Sequence, residues 1–168
     1  LIPVYNDWES LNKLLNEINE NIKSFSENNF ECLIVNDAST IQPPELKKPS
    51  NFFSIELLNM KENKGHARCN AFGIRYVFQN KEFDNLILMD GDGEDRPEEI
   101  KNLIEKIKED PSLSVVAKRV KRSEGLFFQS LYQLHKLITF IFTGKNINFG
   151  NYSILTRNDV EKLYSKAS

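Results

Sequence analysis

Four carboxylates stand within six residues near the middle of the chain, at Asp90, Asp92, Glu94 and Asp95. Carboxylates at this density repel one another, and the repulsion is costly unless a cation or several N–H donors neutralise it. Oxygen ligands of this kind suit Mg²⁺ or Mn²⁺, which proteins usually bind through one or two carboxylates together with substrate phosphates. The two intervening glycines allow positive φ and a close approach of the backbone to a ligand. The segment therefore predicts a divalent-metal site.

Two rival interpretations of the acidic segment can be weighed from the residues alone. A calcium-binding EF-hand loop fails, because Asp95 stands where that loop needs glycine and Lys101 stands where it needs glutamate. A solvated turn whose acids cap the next helix is the second interpretation. Asp95, Glu98 and Glu99 would suit such a turn, whereas Asp90 and Asp92 would not.

Two further polar segments could bind a nucleotide. The carboxylate of Asp37 follows an apolar run and could accept a hydrogen bond from the N–H of a base, and Ser39 could bind sugar or phosphate. Asp37 equally suits an Asx turn. Residues 63–65 suit a turn that begins a helix, and a helix start is also a ready phosphate site, which Lys64 and Arg68 could face. Both interpretations remain open for each segment.

The histidines and cysteines give weaker signals. His66 and His135 are far apart and lack metal-ligand spacing, so we expect structural or surface roles for them. Cys69 is expected in the core. Together with Cys32 it is too little for a disulfide scaffold, so a reducing compartment is the default. The sequence contains no nucleophile elbow, Walker loop or dinucleotide fingerprint.

Strand and helix patterns alternate along the chain. Short apolar runs predict strands over residues 1–5, 30–35, 52–58, 86–89 and 113–117. Helical spacing predicts helices over residues 11–25, 65–79 and 100–107, with Asp7 capping the first and Asp95 the third, and Pro97 in the third helix's first turn. This alternation is typical of a single α/β domain with a mostly parallel sheet flanked by helices.

The polar segments fall at the ends of the predicted strands. They cover residues 5–7, 36–37, 61–65 and 90–95. Because ligands of open α/β sheets bind at the carboxyl ends of the strands, we expect these four segments to form one site.

The composition excludes several classes of protein. The chain has 168 residues, 40% of them hydrophobic and 27% charged, which excludes wholesale disorder. A net charge of −2 argues against a nucleic-acid partner. No apolar run reaches the roughly 18 residues that a membrane span needs. The first residue already lies in a predicted strand, so we expect that residues are missing upstream.

Four motifs occur in order at the predicted strand ends: Pro3-Val4-Tyr5-Asn6-Asp7, Val35-Asn36-Asp37-Ala38-Ser39, Asn63-Lys64-Gly65, and the segment from Met89 to Glu98. Together they resemble family 2 glycosyltransferases of the GT-A (Rossmann-like) fold, and within them the polyprenyl-phosphate hexose synthases such as dolichyl-phosphate mannosyltransferase. The resemblance covers nearly the whole chain. It implies an inverting enzyme that moves a hexose from a UDP- or GDP-sugar to a polyprenyl phosphate, assisted by Mg²⁺ or Mn²⁺, at the cytoplasmic face of a membrane.

The resemblance also implies a role for each matched position. Asp37 would bind the base, and the D-x-D pair of Asp90 and Asp92 would hold the metal on the diphosphate. Donor or acceptor phosphate would be bound by Arg119 and Arg122. The nucleotide-sugar pocket as a whole would be lined by Pro3, Tyr5, Asp7, Asp37, Ser39, Asn63, Gly65, Asp90 and Gly91.

One stretch departs from the family pattern. Residues 148–157 resemble the family's D-x-G-D-F-R-L-x-D-R, but Asn151 stands where a carboxylate is often proposed as the base, and Ser153 replaces the arginine. An amide cannot abstract a proton, so either Asp95 serves as the base or none is needed. A phosphate monoester, with a second pKa of about 6, is already mostly ionised at pH 7. The predicted catalytic set is therefore Asp92, Asp95 and Asn151, and it suits a lipid-phosphate acceptor.

Charge divides the chain into two parts. Residues 1–117 carry 13 basic and 21 acidic residues, whereas residues 118–150 carry 6 basic and 1 acidic residue among many apolar ones. We expect residues 1–117 to form the nucleotide-sugar-binding core and residues 118–168 to form an acceptor-side, membrane-proximal segment of the same domain. The basic stretch predicts an interfacial helix on an anionic membrane surface, although a core helix with a basic rim also fits.

Three other functions remain as alternatives. The first is transfer to a saccharide hydroxyl in surface polysaccharide synthesis. The second is a non-catalytic nucleotide-binding domain that keeps the fold. The third is a phosphatase or response-regulator domain built around an acidic strand end, which lacks supporting downstream motifs.

Overall fold

The computed structural model describes residues 1–118 and 149–166. Strands and helices alternate over this part of the chain, as predicted. In order they are β1 (Ile2–Val4), α1 (Trp8–Ile22), β2 (Glu31–Asn36), β3 (Ser54–Asn59), α2 (His66–Asn80), β4 (Asn85–Leu88), α3 (Glu99–Glu109), β5 (Val115–Lys118), β6 (Phe149–Thr156) and α4 (Arg157–Lys166).

The strands form two three-stranded sheets that meet at Leu1. The first sheet is parallel, in the order β1-β2-β3, and the second has the order β4-β6-β5, with β6 antiparallel to both neighbours. The nitrogen of Leu1 donates to the carbonyl of Ile87 at 2.7 Å, and Met89 donates back to the carbonyl of Leu1 at 3.1 Å. This pair is the pattern of a parallel bridge, so β1 lies beside β4 and the six strands follow the order β3-β2-β1-β4-β6-β5.

One face of this sheet is covered by α1 and α3. The first helix begins at Trp8 because the carboxylate of Asp7 accepts a hydrogen bond from the nitrogen of Ser10 at 3.1 Å, which confirms the predicted cap. The apolar stripes of both helices are buried in one core cluster. They comprise Leu11, Leu14, Leu15, Ile18 and Ile22 on α1 and Ile100, Leu103, Ile104 and Ile107 on α3.

The opposite face is covered by α2 and α4. Cys69 and Val77 of α2 and Val160 of α4 are buried against the sheet side chains of Val35 and Leu88. Cys69 is therefore a core residue, as predicted. Layers of helix on both faces of a sheet in which β6 alone runs antiparallel confirm the predicted α/β class, a mostly parallel sheet flanked by helices.

The predicted cap of α3, Asp95, is wrong. The helix begins at Glu99 and its N-cap is Glu98. Pro97 lies in the turn before the helix. Asp95 is not the cap, because it lies four residues upstream and its carboxylate accepts a hydrogen bond from the backbone of Asp90 instead.

Two elements, β6 and α4, were not predicted. The predicted interfacial helix, with Arg119 and Arg122, lies outside the described residues. Over residues 1–118 and 149–166, none of the helices combines the length and the apolar character that crossing a bilayer requires.

Candidate functional site

The loops that follow β1 and β2 are joined by the side chain of Asn6. Its backbone nitrogen donates to Ser39 Oγ at 2.8 Å, and its Oδ1 accepts from the nitrogens of Thr40 and Ile41 at 2.8 and 3.0 Å. Asn6 adopts a positive φ of 59°, a conformation that asparagine tolerates better than most residues. The first two predicted segments therefore form one continuous rim at the carboxyl edge of the sheet.

The carboxylate of Asp37 fixes the third segment to this rim. Its two oxygens accept hydrogen bonds from the backbone nitrogens of Lys64 and Gly65, each at 2.8 Å. Asp37 is only 4% exposed. Gly65 has a φ of 82°, which a side chain would strain, and it is the residue from which α2 starts. Asp37 therefore sets the position and direction of the first turn of α2.

The acidic loop after β4 is closed by its own side chains. The carboxylate of Asp95, which is buried, accepts from the nitrogen of Asp90 at 2.8 Å. The exposed Asp92 accepts from the nitrogen of Glu94 at 2.9 Å. Gly93 has a φ of 79°. These contacts stabilise a tight turn in which the carboxylate of Asp92 is exposed to solvent.

Gly91 packs beneath this loop against β1. A Cβ at this position would lie 2.6 Å from the carbonyl oxygen of Pro3. Of these two glycines, only Gly93 adopts the positive φ that the sequence allows, whereas the backbone of Gly91 approaches a neighbouring strand. Pro3 and Gly91, which the resemblance places in the nucleotide pocket, are neighbours in space.

Asp90 carries an unsatisfied acceptor in this loop. Its Oδ1 is buried and forms no hydrogen bond with any described residue. A buried carboxylate oxygen without a donor is costly unless a ligand or ion completes it. Carboxylate oxygens such as those of Asp90 and Asp92 are the kind of ligand that Mg²⁺ binds together with phosphate and water. The described residues include no group of three or more acidic, histidine or cysteine side chains placed to hold a metal by themselves.

His66, the first residue of α2, lies at the centre of the site. Its Nε2 is 3.2 Å from Asp90 Oδ1, 2.6 Å from Asn151 Nδ2 and 2.9 Å from Asn70 Nδ2. His66 is exposed, as expected of a surface residue, and its imidazole also contacts side chains from three parts of the site. The sequence carried a usable signal, because His66 directly follows the glycine that begins a helix at the ligand-binding edge.

Asn151 stands on the opposite side of the site, on β6. It is exposed, and its side chain contacts the imidazole of His66. The hydroxyl of the neighbouring Tyr152 is buried and donates to the carbonyl of Arg96 at 2.9 Å. Burial, together with the negative charges of nearby Asp95, Glu99 and Glu98, raises the pKa of Tyr152 far above its usual range. Tyr152 therefore remains a neutral donor that ties β6 to the end of the acidic loop.

The remaining predicted site residues occupy several settings. Tyr5 is exposed at the rim, Asp7 caps α1, Ser39 receives a hydrogen bond from Asn6, and Asn63 accepts from the nitrogen of Gly65 at 3.2 Å. Exposed Lys64 pairs with Glu62, and exposed Arg68 forms no ion pair with other described residues. Arg119 and Arg122 lie outside the described residues.

Comparison with known proteins places this arrangement in a family. The family model described as "Glycosyl transferase family 2" matches residues 1–168. Undecaprenyl-phosphate 4-deoxy-4-formamido-L-arabinose transferase of Salmonella choleraesuis (strain SC-B67) is 30% identical over 159 residues, which are 94% of this chain and 46% of that protein. An uncharacterized glycosyltransferase of Bacillus subtilis (strain 168), YkcC, is 28% identical over 131 residues, 77% of this chain and 39% of its own length.

A solved structure supports the predicted GT-A (Rossmann-like) fold. The crystal structure of S. aureus TarS 1-349 superposes with a TM-score of 0.57 at 16% identity, covering 96% of this chain and 47% of that one. The chain spans less than half the length of the curated relatives named above. The match to the family model over every residue identifies the chain as a member of glycosyl transferase family 2.

Proposed function

We propose that this chain forms the catalytic region of an inverting glycosyltransferase that moves a hexose from a UDP- or GDP-sugar to a polyprenyl phosphate. The observation that carries the proposal is the buried, unsatisfied Oδ1 of Asp90 beside exposed Asp92 at the carboxyl edge of the sheet. Family membership supports the class of reaction. The unsatisfied oxygen indicates where a cation that is bound to the donor diphosphate would find a protein ligand.

Asp90 and Asp92 would hold Mg²⁺ or Mn²⁺ at this edge. When bound, such an ion neutralises the charge that develops on the diphosphate leaving group. Asp95 and Gly91 contribute by fixing the loop, since one binds the backbone of Asp90 and the other packs on Pro3. The two metal-binding carboxylates are thus positioned before the substrate arrives, which lowers the cost of binding it.

The donor would lie along the rim made by the first three segments. Tyr5, Asp7, Ser39 and Asn63 border this rim together with Asp37. Because both oxygens of Asp37 already accept backbone N–H groups, its second lone pairs would serve the base. Gly65 begins α2, whose partial positive charge favours a nearby phosphate.

The acceptor would approach from the side of Asn151. An acceptor phosphate needs no base, because it is ionised near neutral pH, and it would attack the anomeric carbon on the face opposite the leaving group. Asn151 would orient it, and Arg119 and Arg122 would contribute charge. The name of the Salmonella relative includes undecaprenyl phosphate, which supports this class of acceptor. A lipid acceptor also supports action at the cytoplasmic face of a membrane.

Product analysis tests the proposal. The protein is incubated with labelled UDP- and GDP-sugars, Mn²⁺, and either undecaprenyl phosphate in detergent, a saccharide, or no acceptor. We expect label in the lipid fraction for one donor, and at least a tenfold loss in Asp92→Ala but not in the matched control Asp84→Ala, an exposed aspartate before β4. Label in the saccharide alone would overturn the acceptor class. Nucleotide binding without transfer would indicate a non-catalytic domain.

A further inference from the structure

The short loop of residues 38–41, which follows Asp37, lies at the surface of the rim. Ala38 and Ser39 are half-buried, and Thr40 and Ile41 are exposed. Ala38 adopts a positive φ of 55°, which is unfavourable for a residue with a Cβ unless surrounding contacts hold it. Because burial alone does not fix this loop, hydrogen bonds from outside it must set its conformation.

Asn6 contacts three successive residues of the loop. Its Oδ1 accepts from the backbone nitrogens of Thr40 and Ile41, and its Nδ2 donates to Thr40 Oγ1 at 3.1 Å. The backbone nitrogen of Asn6 donates to Ser39 Oγ at 2.8 Å. A single residue that directly follows the end of β1 therefore determines where the backbone of residues 39–41 lies.

Trp8 ties the end of the same loop to the hydrophobic core. It is 6% exposed and belongs to the core cluster that includes the apolar stripes of α1 and α3. Its indole Nε1 donates to the carbonyl of Ile41 at 2.9 Å. Because packing fixes the indole ring, this hydrogen bond holds the exposed Ile41 at a set position. The loop is thus held by two residues that come from the other side of the rim.

We infer that Asn6 and Trp8 are positioning residues that fix the loop of residues 38–41 before the donor binds, and that they thereby strengthen binding of the base. The inference rests on the proposed function, in which Asp37 and Ser39 border the base. A loop that is already ordered does not have to be ordered when the ligand binds, which raises affinity. The acidic loop after β4 is held by other contacts, so the two ends of the donor should respond independently.

Calorimetric titration of UDP and GDP, each with and without Mn²⁺, separates binding of the base from binding of the diphosphate. Asn6→Gly removes the side chain and permits the positive φ of 59°. We expect this variant to bind the nucleotide about tenfold more weakly both with and without Mn²⁺, so that the gain from Mn²⁺ is unchanged. Asp92→Ala should do the converse, because it loses the gain from Mn²⁺ and keeps the metal-free affinity.

Three further variants separate positioning from a general loss of stability. Asn6→Asp keeps oxygens that can accept from the nitrogens of Thr40 and Ile41, so it should recover most of the affinity. Trp8→Phe keeps an aromatic ring in the core without the N–H, and should weaken binding by about threefold or more. Asn16→Gly makes the same change as Asn6→Gly on the exposed side of α1, and should leave nucleotide affinity unchanged.

Hydrogen exchange in the ligand-free chain measures the support of the loop by itself. Trp8 is the only tryptophan, so its indole N–H gives a single signal. We expect Asn6→Gly to accelerate exchange of this N–H and of the amides of Thr40 and Ile41.

The outcomes that overturn the inference are distinct from failure of the proposed function. Unchanged nucleotide affinity in Asn6→Gly, or an equal loss in Asn16→Gly, would overturn the inference. Weaker binding in Asn6→Gly with unchanged exchange would show that Asn6 contacts the nucleotide itself, and would overturn the positioning role. Absence of UDP and GDP binding in the wild type would overturn the proposed function, and the exchange rates would still decide whether Asn6 fixes the loop.

Discussion

The carboxylate of Asp95 accepts a hydrogen bond from the backbone nitrogen of Asp90 at 2.8 Å, across the acidic loop. Asp95 is 5% exposed. The last acid of the loop therefore holds the first acid in place from inside the protein, and the conformation of the candidate metal site depends on a buried side chain. Two roles must therefore be distinguished for Asp95. One is to close the loop through this contact, and the other is to abstract a proton from the acceptor.

Replacing Asp95 separates these roles by experiment. Asp95→Ala leaves the N–H of Asp90 without an acceptor, and we expect a loss of about 1–3 kcal/mol in the free energy of unfolding. Asp95→Asn keeps an acceptor oxygen and should lose less. Urea denaturation measures both, with Asp84→Asn as the exposed control. If Asp95→Asn keeps its stability and nucleotide affinity but loses transfer, Asp95 acts as the base; wild-type stability in Asp95→Ala would contradict the closure role.

Substitution of Asp37 should lower the free energy of unfolding more than substitution of the neighbouring polar residues of the rim. Asp37→Ala removes the acceptors of two backbone N–H groups, those of Lys64 and Gly65, and we expect a loss of about 2 kcal/mol or more. Hydrogen exchange at these two amides should accelerate. Ser39→Ala is the milder control, because it removes only the hydroxyl that accepts a hydrogen bond from the backbone nitrogen of Asn6. Equal effects of the two substitutions would mean that Asp37 does not anchor α2.

The two glycines of the acidic loop should respond differently to alanine. At Gly91 the new methyl would lie 2.6 Å from the carbonyl of Pro3, and we expect overpacking to cost about 1–3 kcal/mol and to displace the loop from β1. Gly93 has open space around it, so Gly93→Ala pays only for its positive φ, about 1–2 kcal/mol. Nucleotide affinity distinguishes them, since Gly91→Ala should weaken it more. The reverse order would show that the contact with Pro3 is unimportant.

The carboxyl edge of the sheet was predictable because its parts are local. Asp7 caps α1, and the turn at Gly65 begins α2, as their neighbouring residues indicate. In contrast, β6 was missed. It lies between β4 and β5, and Tyr152, Ser153 and Ile154 are all buried, so no alternation of polar and apolar residues marks it as a strand.

The position of His66 at the start of α2 could be read from the sequence, but its contacts could not, for a related reason. Its partners Asp90 and Asn151 lie 24 and 85 positions away, and only the folding of β6 beside β4 brings them together. The error at Asp95 has a simpler cause. An acid shortly before a helix suits a cap, but here the backbone nitrogen of Asp90 donates to this carboxylate.

The basic stretch of residues 118–150 should bind anionic membranes. We expect the chain to float with vesicles containing phosphatidylglycerol, and Lys121→Glu with Arg122→Glu to weaken binding, since each basic residue near the surface contributes about 1 kcal/mol. The control makes the same charge change at exposed Lys101 and Lys106 of α3. Equal loss in both variants would indicate a net-charge effect, and no flotation of the wild type would favour a buried core segment.

The central claim is that Asp90 and Asp92 bind a divalent ion that also binds the diphosphate of the donor. Mn²⁺-dependent nucleotide binding tests this claim. Calorimetric titration of UDP- and GDP-sugars is carried out with and without Mn²⁺ on the wild type, Asp92→Ala and Asp84→Ala. We predict that Mn²⁺ raises the affinity for one donor by about tenfold or more in the wild type and Asp84→Ala, and that Asp92→Ala loses this gain. The same affinity in all three proteins, with or without Mn²⁺, would contradict the account.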